Sequence, residues 1–327
     1  MKIWIDIDNS PHVNFVSPLI YRLRNDGHEV TLTTRNVFET AEMCEKYGLE
    51  AKVIGRHMGK NRLLKVIGYV YRLIILYFWL PTFDVSFSLG GNTTSIVSFF
   101  RKNSKSVSFS DNDISYKGIA FKLSDRFIVP KTFTIPESRE FLGKLIRFDG
   151  YKEEVYLKYL LRIHKNVDLP FDEYYILRAE NLKANYVPLD STTIVPEILR
   201  LLQNENIVFL PRYDSDRDYV NGYGNVHIPS GPVNGVRLVA NSKGVLTGAG
   251  TLAREAALLG VPSVSFFPGL KLLSVDKNLF DEEKLFHSRD PHQIVNYIQS
   301  SKDSFKLSKL EGDKFEAFYE LFKDAIR

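Results

Sequence analysis

Residues 243–268, GVLTGAGTLAREAALLGVPSVSFFPG, combine residue types and spacings that suit a nucleoside diphosphate. Residues 244–246 read as a short apolar strand, Thr247-Gly248-Ala249-Gly250 as a turn of small residues, and 251–259 as an Ala/Leu-rich helix. Gly260-Val261-Pro262 stops that helix, and 263–267 starts another strand. A strand feeding a helix through small residues leaves the first N–H groups of the helix without intrahelical partners, at the positive end of its dipole. Gly248, Ala249, Gly250 and Thr251 therefore read as a phosphate cradle. Glu255, about one turn further on, reads as a carboxylate for the two hydroxyls of a ribose. An ordinary βαβ unit with a glycine-softened turn and a solvated Glu has the same spacing, so spacing alone leaves both readings open.

Four other polar loops carry candidate chemistry: Asp8 to Asn14, Gly90 to Ser95, Ser110 to Asp113 and Pro211 to Asp214. His12 titrates near neutral pH and reads as a base, as a donor to the acceptor or departing phosphate, or as a polar cap for a helix at 14–25. Asp111 and Asp113 have the spacing of a D-x-D metal motif. Asp111 reads as a general base with Asp113 capping the turn behind it, or both serve only as turn and cap. Asn9 and Asn14 can read sugar hydroxyls or cap neighbouring turns. Arg178 and Arg212 each end a strand, where a guanidinium fork can hold a diphosphate, and Arg212 is the preferred anchor.

The elements that must position these residues alternate almost throughout. Strands fit 2–8, 29–34, 51–54, 85–89, 106–109 and 126–129, then 174–178, 207–210, 225–228, 244–246 and 263–267. Helices fit 14–25, 37–47, 62–80, 93–101 and 116–123, then 192–203, 233–240, 251–259 and 291–299. Such alternation implies α/β architecture with parallel sheets and right-handed crossovers. The irregular stretch 130–152 parts the chain into two domains, 1–150 and 151–327, the second containing the cradle at 248–251. The expectation is two Rossmann-like, doubly wound domains facing a cleft, closed by a helix or helix pair within 303–327. Ligands of such sheets lie outside the carboxyl ends of the strands, where the polar loops above fall.

Composition excludes several alternatives. The 327 residues are 44% hydrophobic and 25% charged, enough for two cores. The net charge of +4, without a long Lys/Arg block, argues against a nucleic-acid partner, and the absence of a Cys/His cluster argues against a metal site. Cys44 is the single cysteine, so no internal disulfide forms and a reducing cytoplasm is expected. Met1-Lys2 runs directly into the strand, which is not the pattern of a signal peptide. Residues 63–80, LLKVIGYVYRLIILYFWL, are apolar but interrupted by Lys65 and Arg72, too few in sequence for a membrane span. On a helix Arg62, Lys65, Tyr69 and Arg72 share about a quarter of the circumference. That basic stripe suits peripheral contact with an anionic membrane at its inner face, while a helix packed on a sheet with one wet edge is the alternative.

The D-x-D-N-S-P-H opening at 6–12, G-H-E-V-T-L-T-T-R at 27–35, F-S-D-N-D at 109–113 and G-Y-K-E-E-V-Y-L at 150–157 resemble the largely archaeal family named domain of unknown function 354. The resemblance spans nearly the whole chain and lies within the GT-B superfamily, whose two Rossmann-like domains clasp a nucleotide-sugar. Ala249-Gly250-Thr251 with Glu255 is similar to the ribose–diphosphate turn of nucleotide-sugar 2-epimerases. Glu255-Ala256 through Gly260-Val261-Pro262 is similar to the donor helix of the glycosyltransferase that completes lipid II. Gly91-Asn92-Thr93-Thr94-Ser95 resembles the epimerase G-D-T-T-S, in which the Asp is an essential acid–base group. Asn92 is an amide and exchanges no proton at neutral pH, and the Asp111 loop lacks the epimerase text H-V-E-A-G-L-R. The resemblance thus implies a GT-B-type glycosyltransferase that moves a sugar from a nucleotide-diphosphate donor, a UDP-sugar, to a lipid-linked or soluble acceptor. The donor is substrate rather than tightly bound cofactor, no metal is needed, and Asn92 and Thr93 join Asn9 and Asn14 as substrate contacts. A non-catalytic nucleotide-sugar-binding protein and a diverged UDP-GlcNAc 2-epimerase-like enzyme are the alternatives.

Overall fold

The computed structural model describes residues 1–36, 40–56, 62–115, 118–135, 143–182, 187, 188, 190–231, 233–301, 310 and 313–327. Contacts divide the chain into a unit of residues 1–156 and 313–327 and a unit of residues 157–312. The division expected at 150/151 therefore moves six residues along the chain, and the C-terminal helix joins the first unit rather than the second.

The first unit holds a seven-stranded, all-parallel sheet. Its strands are β1 (Lys2–Ile7), β2 (Glu29–Asn36), β3 (Lys52–Arg56), β4 (Val85–Leu89), β5 (Lys105–Phe109), β6 (Arg126–Pro130) and β7 (Leu145–Phe148). Their order is β3-β2-β1-β4-β5-β6-β7. β1 and β4 are buried almost end to end, as expected of central parallel strands covered on both faces. The crossovers run through α1 (Ser10–Asn25), α2 (Thr40–Lys46), α3 (Arg62–Trp79), α4 (Asn92–Phe100) and α5 (Ile119–Leu123). α1 starts four residues before the expected 14, because Pro11 sits in its first turn, where a missing N–H costs nothing. Helix α12 (Lys314–Ile326) closes the unit: Phe318 lies 5.0 Å from Phe15, 5.8 Å from Phe109 and 5.8 Å from Phe148, and Phe322 lies 5.1 Å from Phe87. Of the expected helical stretch 303–327, residues 303–309, 311 and 312 lie outside the described residues, as do 37–39 of the expected helix 37–47 and 116–117 of 116–123.

β7 falls inside the stretch 130–152 read as irregular, and α6 (Glu154–Ile163) follows it. The second unit holds a six-stranded parallel sheet of β8 (Tyr175–Arg178), β9 (Ile207–Leu210), β10 (Val226–His227), β11 (Gly244–Thr247), β12 (Ser263–Ser265) and β13 (Phe286–His287). Their order is β10-β9-β8-β11-β12-β13. Helices α7 (Val195–Leu201), α8 (Gly235–Ala240), α9 (Gly250–Leu259), α10 (Ser274–Asp281) and α11 (Pro291–Ser300) cover it. Its core joins Leu177, Phe209, Leu246 and Val264 of the sheet to Ile198 of α7 and Ile294 and Ile298 of α11. Gly260 ends α9 in the left-handed conformation (φ 72°), the role its position after the Ala/Leu run requires.

Both sheets reverse strand order once, between β1 and β4 in the first unit and between β8 and β11 in the second. Those are the two places where an open α/β sheet forms a ligand crevice at its carboxyl edge.

Candidate functional site

At the β8/β11 crevice the turn after β11 folds as its small residues dictate. The Gly248 N–H donates to the Arg178 carbonyl (3.1 Å), and the Ala249 N–H donates to Thr247 Oγ1 (2.9 Å). α9 then begins at Gly250 with no side-chain cap on its N-terminus, which leaves a phosphate as a suitable partner for its first N–H groups. A β-carbon on Gly250 would lie 2.9 Å from Arg254 Nη1, so that guanidinium rests against the start of the helix. Arg254 is buried and paired with Asp276 through Nη1 and Oδ1 at 2.9 Å. Glu255 lies on the next turn and is only 4% exposed.

Glu180, just beyond β8, faces the same turn. Its carboxylate accepts from Thr193 Oγ1 (2.8 Å) and the Ile194 N–H (3.1 Å) and pairs with Arg289 Nη1 (3.5 Å). Arg289 is itself fixed by the carbonyls of Phe266 (2.8 Å) and Thr192 (2.7 Å). Arg212 follows β9. Its backbone N–H and that of Tyr213 donate to Asp216 Oδ2 at 2.8 and 2.9 Å, which fixes the loop. Arg212 Nε is buried and has no hydrogen-bond partner among the described residues. Arg178, the other candidate anchor, is in register with Thr247 across the crevice.

The β1/β4 crevice in the first unit is built over a buried ion pair. Asp6 on β1 receives Arg72 Nη2 at Oδ1 (2.7 Å) and Nη1 at Oδ2 (3.0 Å), and Thr33 Oγ1 donates to Oδ1 at 2.5 Å. Arg72 also donates to the Ile54 carbonyl (2.7 Å) and to Thr93 Oγ1 (3.0 Å). Burial opposes the guanidinium charge, and Asp6 more than restores it, so Arg72 stays protonated. Arg72 therefore does not belong to the surface stripe expected of it; it leaves α3 inward. Thr93 is 1% exposed and joined to this network, so it lies beneath the loops rather than among the sugar contacts expected for it.

Above the pair, Asp8 Oδ1 meets Arg35 Nε at 3.2 Å, and a β-carbon on Gly91 would approach Asp8 Oδ2 to 2.7 Å. His12 sits in the first turn of α1, its N–H donating to the Asn9 carbonyl (2.9 Å). Its Nδ1 is buried and unpartnered among the described residues. Burial, reinforced by the Lys152 ammonium and opposed by Asp111, pushes the imidazole pKa down to about 3. His12 is thus neutral at neutral pH and acts as a hydrogen-bonding group. Lys152 Nζ pairs with Asp111 Oδ2 (2.8 Å) and approaches Glu153 Oε1 (3.5 Å).

The remaining candidates are engaged locally. Asn92 Oδ1 accepts from the Ala120 N–H (2.9 Å), tying the start of α4 to α5, and Asn14 Oδ1 accepts from Tyr47 Oη (2.8 Å). Asn9 occupies the N-cap position of α1 without a side-chain capping bond, and Asp113 opens a single 3₁₀ turn, Asp113–Ser115. The structure thus brings His12 and Asp111 together in the first unit, and Gly248, Ala249, Gly250, Thr251, Glu255 and Arg212 along the crevice edge of the second. Sequence reading missed Lys152, Glu180, Arg254 and Arg289. A lone Lys and a lone Arg inside otherwise family-typical text were the only signals for the first and third. Among the described residues, no three His, Cys, Asp or Glu side chains are grouped to hold a metal ion.

The same fold recurs in solved enzymes. A UDP-GlcNAc 2-epimerase of Methanocaldococcus jannaschii, in complex with UDP-GlcNAc and UDP, aligns with a TM-score of 0.72 at 14% identity, over 99% of this chain and 100% of that one. The glycotransferase of kitacinnamycin aligns with a TM-score of 0.61 at 13% identity, over 100% and 99% of the two chains. Identities this low carry the GT-B-like architecture and no reaction. By sequence, the uncharacterized protein MJ0665 of M. jannaschii is 28% identical over 325 residues, 92% of each chain. The family described as protein of unknown function (DUF354) matches from residue 1 to residue 327, and this chain belongs to it.

Proposed function

We propose that the protein binds a UDP-sugar through its second unit and transfers the sugar to an acceptor hydroxyl, as a GT-B-type glycosyltransferase. The observation that carries this reading is the uncapped N-terminus of α9 at the β8/β11 crevice, with the Arg254 guanidinium resting against its first residue. Helix N–H groups favour a diphosphate, and Arg212, in the loop after β9 with its Nε unpartnered among the described residues, is the proposed second anchor. Glu255, one turn into the helix, takes the ribose hydroxyls.

In the transfer, the acceptor oxygen attacks the anomeric carbon, the carbon–oxygen bond to the diphosphate breaks, and UDP leaves with the bonding pair. The positive end of α9 and the arginines stabilise the charge that develops on it. Asp111 takes the hydroxyl proton, and neutral His12 supplies a hydrogen bond through its ring nitrogens. Inversion at C2 of the sugar needs a proton donor and acceptor where this chain has Asn92, whose amide oxygen is engaged by Ala120.

Titration calorimetry with UDP tests the binding half. Glu255→Ala should weaken UDP by about 1–3 kcal/mol, the loss of one or two hydrogen bonds to a charged group. Unchanged affinity would remove Glu255 from the ribose. Release of free UDP from a panel of UDP-sugars tests the transfer half, and binding without release under any acceptor would leave a binding protein.

A further inference from the structure

Helix α3 presents an apolar face to solvent. Leu63, Ile67, Val70, Tyr71, Ile74 and Phe78 follow one another at helical spacing, and all are exposed, Phe78 to 79%. Its opposite face is already satisfied: Leu76 and Leu80 pack with Trp4, Ile54, Phe83 and Val97. The Asp6–Arg72 pair pins the helix in this orientation, so the outward stripe cannot turn inward. Phe99 and Phe100, at the end of α4, are exposed as well. Arg101 holds them beside α3 by donating to the carbonyls of Tyr77, Leu80 and Pro81. A contiguous apolar surface of this extent on a folded unit marks an interaction site.

Charge identifies what it meets. Residues 51–110 contain nine Lys and Arg and a single acidic residue, Asp84, whose carboxylate accepts the Lys2 N–H at 2.7 Å. Lys65 on α3 and Lys102, two residues past the end of α4, are exposed beside the apolar surface. Exposed aromatic and aliphatic side chains bordered by cations match the acyl–headgroup boundary of an anionic bilayer. A second copy of the chain would bring the same cations into the contact with no acid from this stretch to offset them. Among the described residues no helix is long and apolar enough to cross a membrane, so α3 lies along the surface.

We propose that the outward face of α3, together with the tip of α4, seats this protein on an anionic phospholipid surface. The contact lies on the apolar stripe, with the cations at its border, rather than on the basic edge read from the sequence. The proposal stands independently of the nucleotide site.

Sedimentation of the full chain with vesicles of phosphatidylcholine alone, or of phosphatidylcholine with phosphatidylglycerol, tests it. The anionic vesicles should retain the protein at least about tenfold more strongly at low salt, and added salt should release it. Replacing Tyr71, Ile74 and Phe78 together by Gln should abolish retention without lowering the melting temperature, since these side chains are exposed. Lys65→Gln with Lys102→Gln should weaken retention about fivefold per charge. Protein left in the supernatant at low salt, or equal retention by both vesicles, would overturn the proposal. So would a wild-type dimer by light scattering that ignores vesicles and becomes monomeric in the triple variant, which would make the face an interface between copies.

Discussion

A β-carbon on Gly248 would lie 2.5 Å from Cγ and 2.6 Å from Cα of Glu180. The two strand exits of the second unit are therefore in contact through backbone on both sides, and no rotamer change can open space. Gly91 in the first unit lies two residues past β4, and its β-carbon would meet the Asp8 carboxylate oxygen at 2.7 Å and Ser88 Oγ at 3.3 Å, both side-chain ends. Gly248→Ala should cost about 1–3 kcal/mol of stability, the usual range for forced overpacking, and Gly91→Ala distinctly less. Thermal melts of the two variants decide it: equal losses would mean that the Gly248–Glu180 approach is not backbone-limited.

The Asp6–Arg72 pair gives a second expectation. Arg72→Met leaves a buried carboxylate without its cation and should cost about 3–5 kcal/mol. Adding Asp6→Asn to that variant should recover part of the loss, because the stranded charge is gone. Urea denaturation measures both; strictly additive losses would show that the two side chains do not depend on each other.

His12 should make the protein acid-sensitive. Its folded pKa of about 3 lies below the ordinary 6.5, so between these values the unfolded chain binds a proton that the folded chain does not. Its contribution is fully present above pH 6.5 and is lost as pH falls toward 3, with a slope below about 1.4 kcal/mol per pH unit. In His12→Gln that part of the slope should vanish. An imidazole seen by NMR to titrate near 6.5 in the native protein would contradict the burial described.

Asn92 provides a test of reaction type. Asn92→Asp keeps an acceptor for the Ala120 N–H and should change stability by less than about 0.5 kcal/mol. In deuterated water, wild-type protein with UDP-GlcNAc should leave C2 of the sugar undeuterated. Deuterium found at C2 by NMR would return the chain to the epimerases in activity as well as in fold.

Much of the fold was readable because it is written locally. β4 and β9 have the bounds read from the sequence, β9 as a continuous apolar run and β4 as apolar residues alternating with serine, each between turn residues. β7 was not legible: LIRF is four residues long, only one of them fully buried, and it lies on the sheet edge. The turn at 248–251 was legible because a strand-to-helix turn of small residues needs only neighbours in sequence. Glu180, Arg289 and Lys152 were not, since crossovers bring each to its partners from distant elements. Arg72 shows the limit of periodicity. Spacing assigns it to one edge of a helix, but its direction is set by Asp6, 66 residues earlier.

The return of the chain to the first unit has a consequence for its birth on the ribosome. Phe15, Phe87 and Phe109 have all been synthesised long before Phe318 and Phe322, which cover them. Residues 157–312 build the second unit in the interval. The nascent first unit thus waits with an aromatic face open while its neighbour is made, and matures only when the last helix is released from the exit tunnel. Chaperones that recognise exposed aromatic surface have their longest opportunity in that window, and a nonsense mutation between the second unit and Phe318 leaves both sheets encoded but the first without its aromatic cover.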